Sequence, residues 1–202
     1  RVQPLTRILH DDELKPLYLP VALSFPGADA ITRGLGGGLG ADLFVHHVGG
    51  EVARVADDKL IVSPFVTLDP GAAFIQAAPS GILYAATQRS SILWELSDDD
   101  GDGEIREGIE MRAIAAFDEP PRALAYDDRL YAATEGGRIY ELVEGEGLRL
   151  FAEGFEAEII DISPAAGGGL LVLEGDGRSG RLLHLAPPRA VVRSWPSAVD
   201  YG

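Results

Sequence analysis

Apolar residues in this chain come in short runs broken by Gly, Pro, Ser or acidic turns, and the runs recur. Residues 129–142 read RLYAATEGGRIYEL, and residues 82–96 read ILYAATQRSSILWEL. Both carry Leu-Tyr-Ala-Ala-Thr, a polar turn, and an apolar segment that ends aromatic-Glu-Leu. An earlier copy runs from Leu43 to Val52, with Gly49-Gly50 falling on Gly136-Gly137. A later copy joins Leu170–Leu173 to Gly180–Leu185. The copies start at Leu43, Leu83, Leu130 and Leu170, with spacings of 40, 47 and 40 residues. Two short apolar segments around a Gly- or Ser-bearing turn predict a β-hairpin in each copy.

A further segment precedes each hairpin, near Asp29–Arg33 and at Ala73–Ala77, Ala123–Tyr126 and Ile159–Ile162. Another follows it, at Leu60–Val62, Ala113–Phe117, Leu148–Phe151 and Ala190–Val192. Four strands in a period of about 40 residues predict an all-β β-propeller of four-stranded antiparallel blades. Packing blade on blade buries both sheet faces, which explains apolar runs such as Leu-Tyr-Ala-Ala that do not alternate. A helical solenoid is excluded, because Gly or Pro interrupts most windows before a second turn. The one helix-like window, Glu104–Met111, is broken by Gly108. The approximate repeats are 17–71, 72–121, 122–157 and 158–198, within one domain spanning 1–202. Leu17–Leu23 reads as an outer strand and Val2–Leu9 as another, which leaves a partial unit beside four blades. The Gly-rich tract Gly34–Gly40 reads as a long inner turn, since neither Lys-Ser/Thr nor a helix follows to make a phosphate cradle.

Composition excludes more than it assigns. Hydrophobic residues make up 46% and charged residues 24%, a globular balance. The net charge of −15 repels phosphate backbones, so no nucleic acid is expected as a partner. No apolar run has the length of a membrane span. With no Cys, disulfides, thiolate metal sites and cysteine nucleophiles are excluded. Asn is also absent, which removes any N-glycosylation acceptor. There is no G-x-S-x-G nucleophile motif and no dinucleotide fingerprint. The first residue is Arg1 and not Met, so a processed or trimmed chain is expected, with any signal peptide already gone.

One segment carries chemistry. The longer spacing holds an insertion after Leu96, Ser97–Glu110, whose core fits D-x-D-x-D-G. Calcium takes six to eight oxygens, and alternate carboxylates on a tightly turning chain can converge on one ion. Asp98, Asp100 and Asp102 occupy positions one, three and five, Gly103 position six, and the Glu104 carbonyl position seven. Position twelve, which carries a bidentate Glu in helix-loop-helix sites, is Ile109; Glu107 and Glu110 lie close enough to substitute. Five carboxylates within Asp98–Glu104 repel one another unless a counter-ion is present. The alternative is an exposed acidic hairpin tip. His46 and His47 adjoin on a strand and so point to opposite faces; one of them is expected to face the central channel or a blade interface, in a structural role. Asp161 and Asp29 are the carboxylates that the inner segments offer.

Residues 120–142, PPRALAYDDRLYAATEGGRIYEL, and their echoes resemble the β-propeller repeats of the NHL and gluconolactonase-like kind. The acidic insertion is similar to the DxDGDG loops between strands of secreted propellers, including quinoprotein sugar dehydrogenase-like ones. The resemblance implies a secreted, cell-surface or periplasmic propeller with structural calcium. Gluconolactonase-like enzymes use an Asn in their metal site, and this chain has none. The expectation is a non-catalytic, calcium-stabilised propeller that serves as a binding or scaffold domain for a protein or carbohydrate. The competing expectation is a reduced or partial lactonase-like or quinoprotein sugar dehydrogenase-like enzyme.

Overall fold

The computed structural model describes residues 5–10, 16–21, 27–56, 62–166, 168–176, 179–186 and 190–196, with side chains described from residue 27 to residue 186 of these. Two strands, β1 (Leu5–His10) and β2 (Pro16–Val21), pair as an antiparallel two-stranded sheet. This is the partial unit expected from the first residues. Four antiparallel four-stranded sheets follow in chain order. Blade 1 comprises β3 (Ala28–Arg33), β4 (Leu43–His47), β5 (Glu51–Val55) and β6 (Val62–Thr67). Blade 2 comprises β7 (Ala73–Ala77), β8 (Ile82–Thr87), β9 (Ile92–Ser97) and β10 (Met111–Ala116). Blade 3 comprises β11 (Pro121–Asp127), β12 (Arg129–Thr134), β13 (Arg138–Val143) and β14 (Gly147–Glu153). Blade 4 comprises β15 (Glu158–Pro164), β16 (Leu170–Gly175), β17 (Gly180–Ala186) and β18 (Ala190–Pro196).

The sheets are the four blades of a β-propeller, with β3, β7, β11 and β15 as inner strands that meet in sequence. Among the described residues, the only helix is a single 3-10 turn, Gly37–Leu39. Small residues stand where blades converge: Ala77 and Ala85 in blade 2, Ala125 and Ala133 in blade 3, all buried. Aromatic pairs fill the wider gaps farther along the sheets, as in Phe44 against Phe65 and Tyr131 against Phe151. Three hydrophobic cores result, one between each successive pair of blades. Among the described residues no fourth core joins blade 4 to blade 1, and Ile31, Ile160 and Leu173 on those two blades are exposed.

The inner hairpins of blades 1, 3 and 4 share a bulge, between Ala28 and Ala30, Pro121 and Ala123, and Ile159 and Asp161. A bulge re-aims the extra side chain. In blade 1 that residue is Asp29, which accepts a hydrogen bond from the Ala73 backbone N–H of blade 2 and faces the His46 ring at 2.6 Å. His46 is fully buried at this blade interface, whereas the Nδ1 of His47 accepts from the Gly49 N–H. The outer strand expected at Leu60–Val62 begins at Val62, and residues 57–61 lie outside the described residues.

Antiparallel order puts the β3–β4, β7–β8 and β11–β12 turns at one end of the propeller, together with the β9–β10 and β13–β14 connections. That end carries the acidic insertion and the Gly-rich tract.

Candidate metal centre

The insertion between β9 and β10 folds over the edge of blade 2 and back onto blade 1. The Ile105 side chain enters the core between these blades, and its N–H donates to the Phe65 carbonyl of β6 at 2.7 Å. Apolar position eight of the loop therefore pins it across two blades. The Gly-rich tract is its buttress. A Cβ on Gly37 would lie 2.6 Å from the Gly81 Cα, and one on Gly38 would lie 2.9 Å from the Asp98 carbonyl oxygen. Only glycines let these three backbones meet.

Within the loop, Asp98, Asp100 and Asp102 each bring an oxygen within 4.8 Å of the others. Turn hydrogen bonds set this geometry. Asp100 Oδ1 accepts from the Asp102 N–H, Asp102 Oδ1 from the Glu104 N–H, and Asp98 Oδ2 from the Gly103 N–H. Gly101 and Gly103 take positive φ, which is the backbone freedom the sharp turn needs. Asp98 is the buried member, its side chain 1% exposed, and its Oδ1 has no hydrogen-bond partner. A buried carboxylate oxygen left unpaired is costly unless a cation or donor meets it.

Two arginines give these carboxylates counter-ions from the protein itself. Arg54 of β5 donates Nη1 to Asp98 at 3.1 Å, Nε to Asp42 at 2.7 Å, and Nη2 to the Gly38 carbonyl at 3.2 Å. Arg106 bridges Asp100 at 2.7 Å and also pairs with Asp102. The N–H of Glu104, more than the guanidinium beside it, holds the Asp102 carboxyl below its usual range.

Glu110, one of the two substitutes considered for position twelve, is buried and turned inward. Its Oε2 accepts from the Arg106 N–H, and its Oε1 from the N–H groups of Asp99 and Asp100. These donors, led by Arg106, keep its carboxyl low. Glu110 thus closes the loop through backbone. Glu104 and Glu107 have exposed side chains, and Ile109 points outward at 76% exposure. Arg54 was not singled out in the sequence, where a lone Arg on a strand 44 residues from Asp98 carries no spacing signal.

Elsewhere, Glu141 of β13 is buried between Arg149 and Arg129. Burial works to raise its carboxyl, but the two guanidiniums win and hold it low. Asp102, Glu110 and Glu141 all have depressed folded values, so each contributes stability above its ordinary value and loses it as pH falls through the folded one. Calorimetric melting midpoints are expected to stay level from neutral pH down to the ordinary Glu value, 4.5, and to fall below it. A Glu110→Gln variant should start lower and decline less steeply. An unchanged slope would remove Glu110 from this account.

No protein-family model and no curated protein matches this sequence. The fold does match solved structures. One is virginiamycin B lyase from Staphylococcus aureus, at 13% identity and a TM-score of 0.65, over 94% of this chain and 62% of the lyase. Another is the β-propeller domain of Myceliophteria thermophila Cps50 (Swd1), at 14% identity and TM-score 0.62, over 86% of this chain and 56% of that one. A third is BBS1N, solved in complex with ARL6DN, at 11% identity and TM-score 0.57, over 98% of this chain and 58% of that one. At these identities the likeness establishes the β-propeller class and no more. This chain spans about 62% of the length of the lyase it matches.

Proposed function

We propose that this chain is a non-catalytic propeller domain that binds or scaffolds a partner, and that its β9–β10 loop holds a calcium ion stapling blade 2 to blade 1. The observation that carries the metal reading is the buried, unpartnered Oδ1 of Asp98 beside the oxygens of Asp100 and Asp102. Asp98, Asp100 and Asp102 supply hard oxygen ligands suited to calcium. Arg106 stands in for part of that charge and swings outward when the ion binds. The role is structural, because calcium here neutralises a loop that already bridges two blades.

A binding role is supported by the propeller class, whose structural neighbours include a domain solved with a protein partner, and by the placement of the His46–Asp29 pair. His46 is fully buried and its partner Asp29 accepts from the Ala73 N–H of blade 2, so the pair ties two blades together. The partner is a protein or a carbohydrate, met in a secreted, periplasmic or cell-surface setting where calcium is abundant.

With a Kd near 10⁻⁴ M, millimolar calcium should add about 1–2 kcal/mol. Thermal unfolding in calcium against chelator should show this as a raised midpoint in the parent protein. The gain should vanish in Asp100→Ala and Asp102→Ala. Equal midpoints with and without calcium, and no heat of binding in titration calorimetry, would leave an arginine-neutralised turn.

A further inference from the structure

A cleft of about 980 Å³ lies between blades 2 and 3, at the end of the propeller that carries the acidic loop. A smaller one of about 520 Å³ adjoins it, sharing Glu95 and Arg112 and reaching Asp98 and Asp99. The wall of the larger cleft holds Tyr84 and Tyr126 with rings near parallel, 6.0 Å apart and 17° from coplanar. Tyr84 is 9% exposed and brings a phenol hydroxyl to this wall. Burial, with Glu95 nearby, pushes that hydroxyl up and keeps it a donor.

The charge around this pair is one-sided. Both clefts together are lined by eight carboxylates and three guanidiniums. The guanidiniums are already occupied: Arg112 on Glu95, and Arg129 and Arg149 on the buried Glu141. Asp128, Glu144 and Glu146 make no salt bridge among the described residues, and Glu144 and Glu146 stand exposed on the β13–β14 turn. Unpaired carboxylates around an aromatic wall suit a cation that can lie over a ring and meet an oxygen at its edge. A neutral sugar would use the rings but leave this charge unanswered.

We propose that this cleft binds an extended basic segment of a partner protein, with an Arg or Lys side chain seated against Tyr84 and Tyr126. The inference rests on the binding-domain reading and names its partner class. It does not need calcium.

The probe is a fluorescein-labelled peptide of alternating Arg and Ser, about a dozen residues long, followed by anisotropy beside a matched Glu–Ser peptide and a neutral glucan oligosaccharide. The Arg–Ser peptide should bind, and the other two should not. Reversing the rim in Glu144→Lys/Glu146→Lys should weaken binding about tenfold or more. Tyr126→Leu should weaken it roughly threefold to tenfold through the lost cation–π contact. The control, Asp69→Lys/Glu135→Lys, makes the same charge change on turns at the opposite end of the propeller and should stay within about twofold. Circular dichroism of each variant excludes misfolding.

Equal losses in rim and control variants, or no binding of the Arg–Ser peptide, would overturn the proposal. So would preferential binding of the glucan. Panning an unbiased displayed peptide library on the parent protein separates the two readings. Selected peptides indifferent to the rim reversal would sink the cleft alone, whereas no binder from either the library or an oligosaccharide panel would sink the binding-domain reading too.

Discussion

An Arg54→Ala variant is expected to lose about 3 kcal/mol of stability, the low end for removing one partner of a buried charge pair. Its guanidinium makes three hydrogen bonds, to Asp42, Asp98 and the Gly38 carbonyl, and its carbon atom lies 6.0 Å from the Phe44 ring centroid. Truncation leaves the Asp98 carboxylate, 1% exposed, with only the Gly103 N–H. It also unties the Gly-rich turn of blade 1 from the loop of blade 2. Chemical denaturation of parent and variant gives the number directly. A second arm uses the metal proposal: millimolar calcium should restore part of the loss in Arg54→Ala, since the ion would replace the missing charge at Asp98. Loss below about 1 kcal/mol would reduce Arg54 to an ordinary surface pair.

Gly81→Val should be nearly as damaging, at about 3 kcal/mol, for a reason unrelated to charge. Gly81 has φ +85°, where a β-branched side chain is strained, and its added Cβ would sit 2.9 Å from both the Gly37 Cα and the Gly38 N. Those are backbone atoms and cannot rotate away. The β7–β8 turn would part from the β3–β4 turn and take the buttress of the acidic loop with it. The matched control is Gly101→Ala, at φ +74° with nothing within 4 Å of the new Cβ, which should lose only about 1 kcal/mol of left-handed strain. Thermal melts of both, with far-ultraviolet circular dichroism to confirm β structure, separate contact from strain. Equal losses would mean the approach of the two turns does not matter.

Repetition made the blades readable. Leu43, Leu83, Leu130 and Leu170 mark β4, β8, β12 and β16, because each is the first or second residue of the second strand of a blade and every blade solves the same packing problem. Inner strand β7 coincides with Ala73–Ala77 as expected. Outer strands were harder to place: β6 runs Val62–Thr67 and includes Pro64, a residue tolerated because an edge strand need not donate on both sides. The acidic motif was legible because its alternate carboxylates and glycines are local in the chain. Its surroundings were not.

Local pattern and repetition thus determined the strand order, the four repeated hairpins, the sharp turn at Gly101–Gly103 and the grouping of Asp98, Asp100 and Asp102, while the tertiary structure decided the number of blades. Tertiary structure decided which charges answer one another. Arg54 reaches Asp98 from another blade, Glu110 turns inward to cap the loop backbone, and Asp29 meets His46 through a bulge. It also decided that Tyr84 and Tyr126, on different blades, form one wall of a cleft. The reason is physical. Backbone hydrogen bonding and burial periodicity act over a few residues and leave a trace in sequence, whereas a contact between blades depends on the angle at which two finished sheets meet.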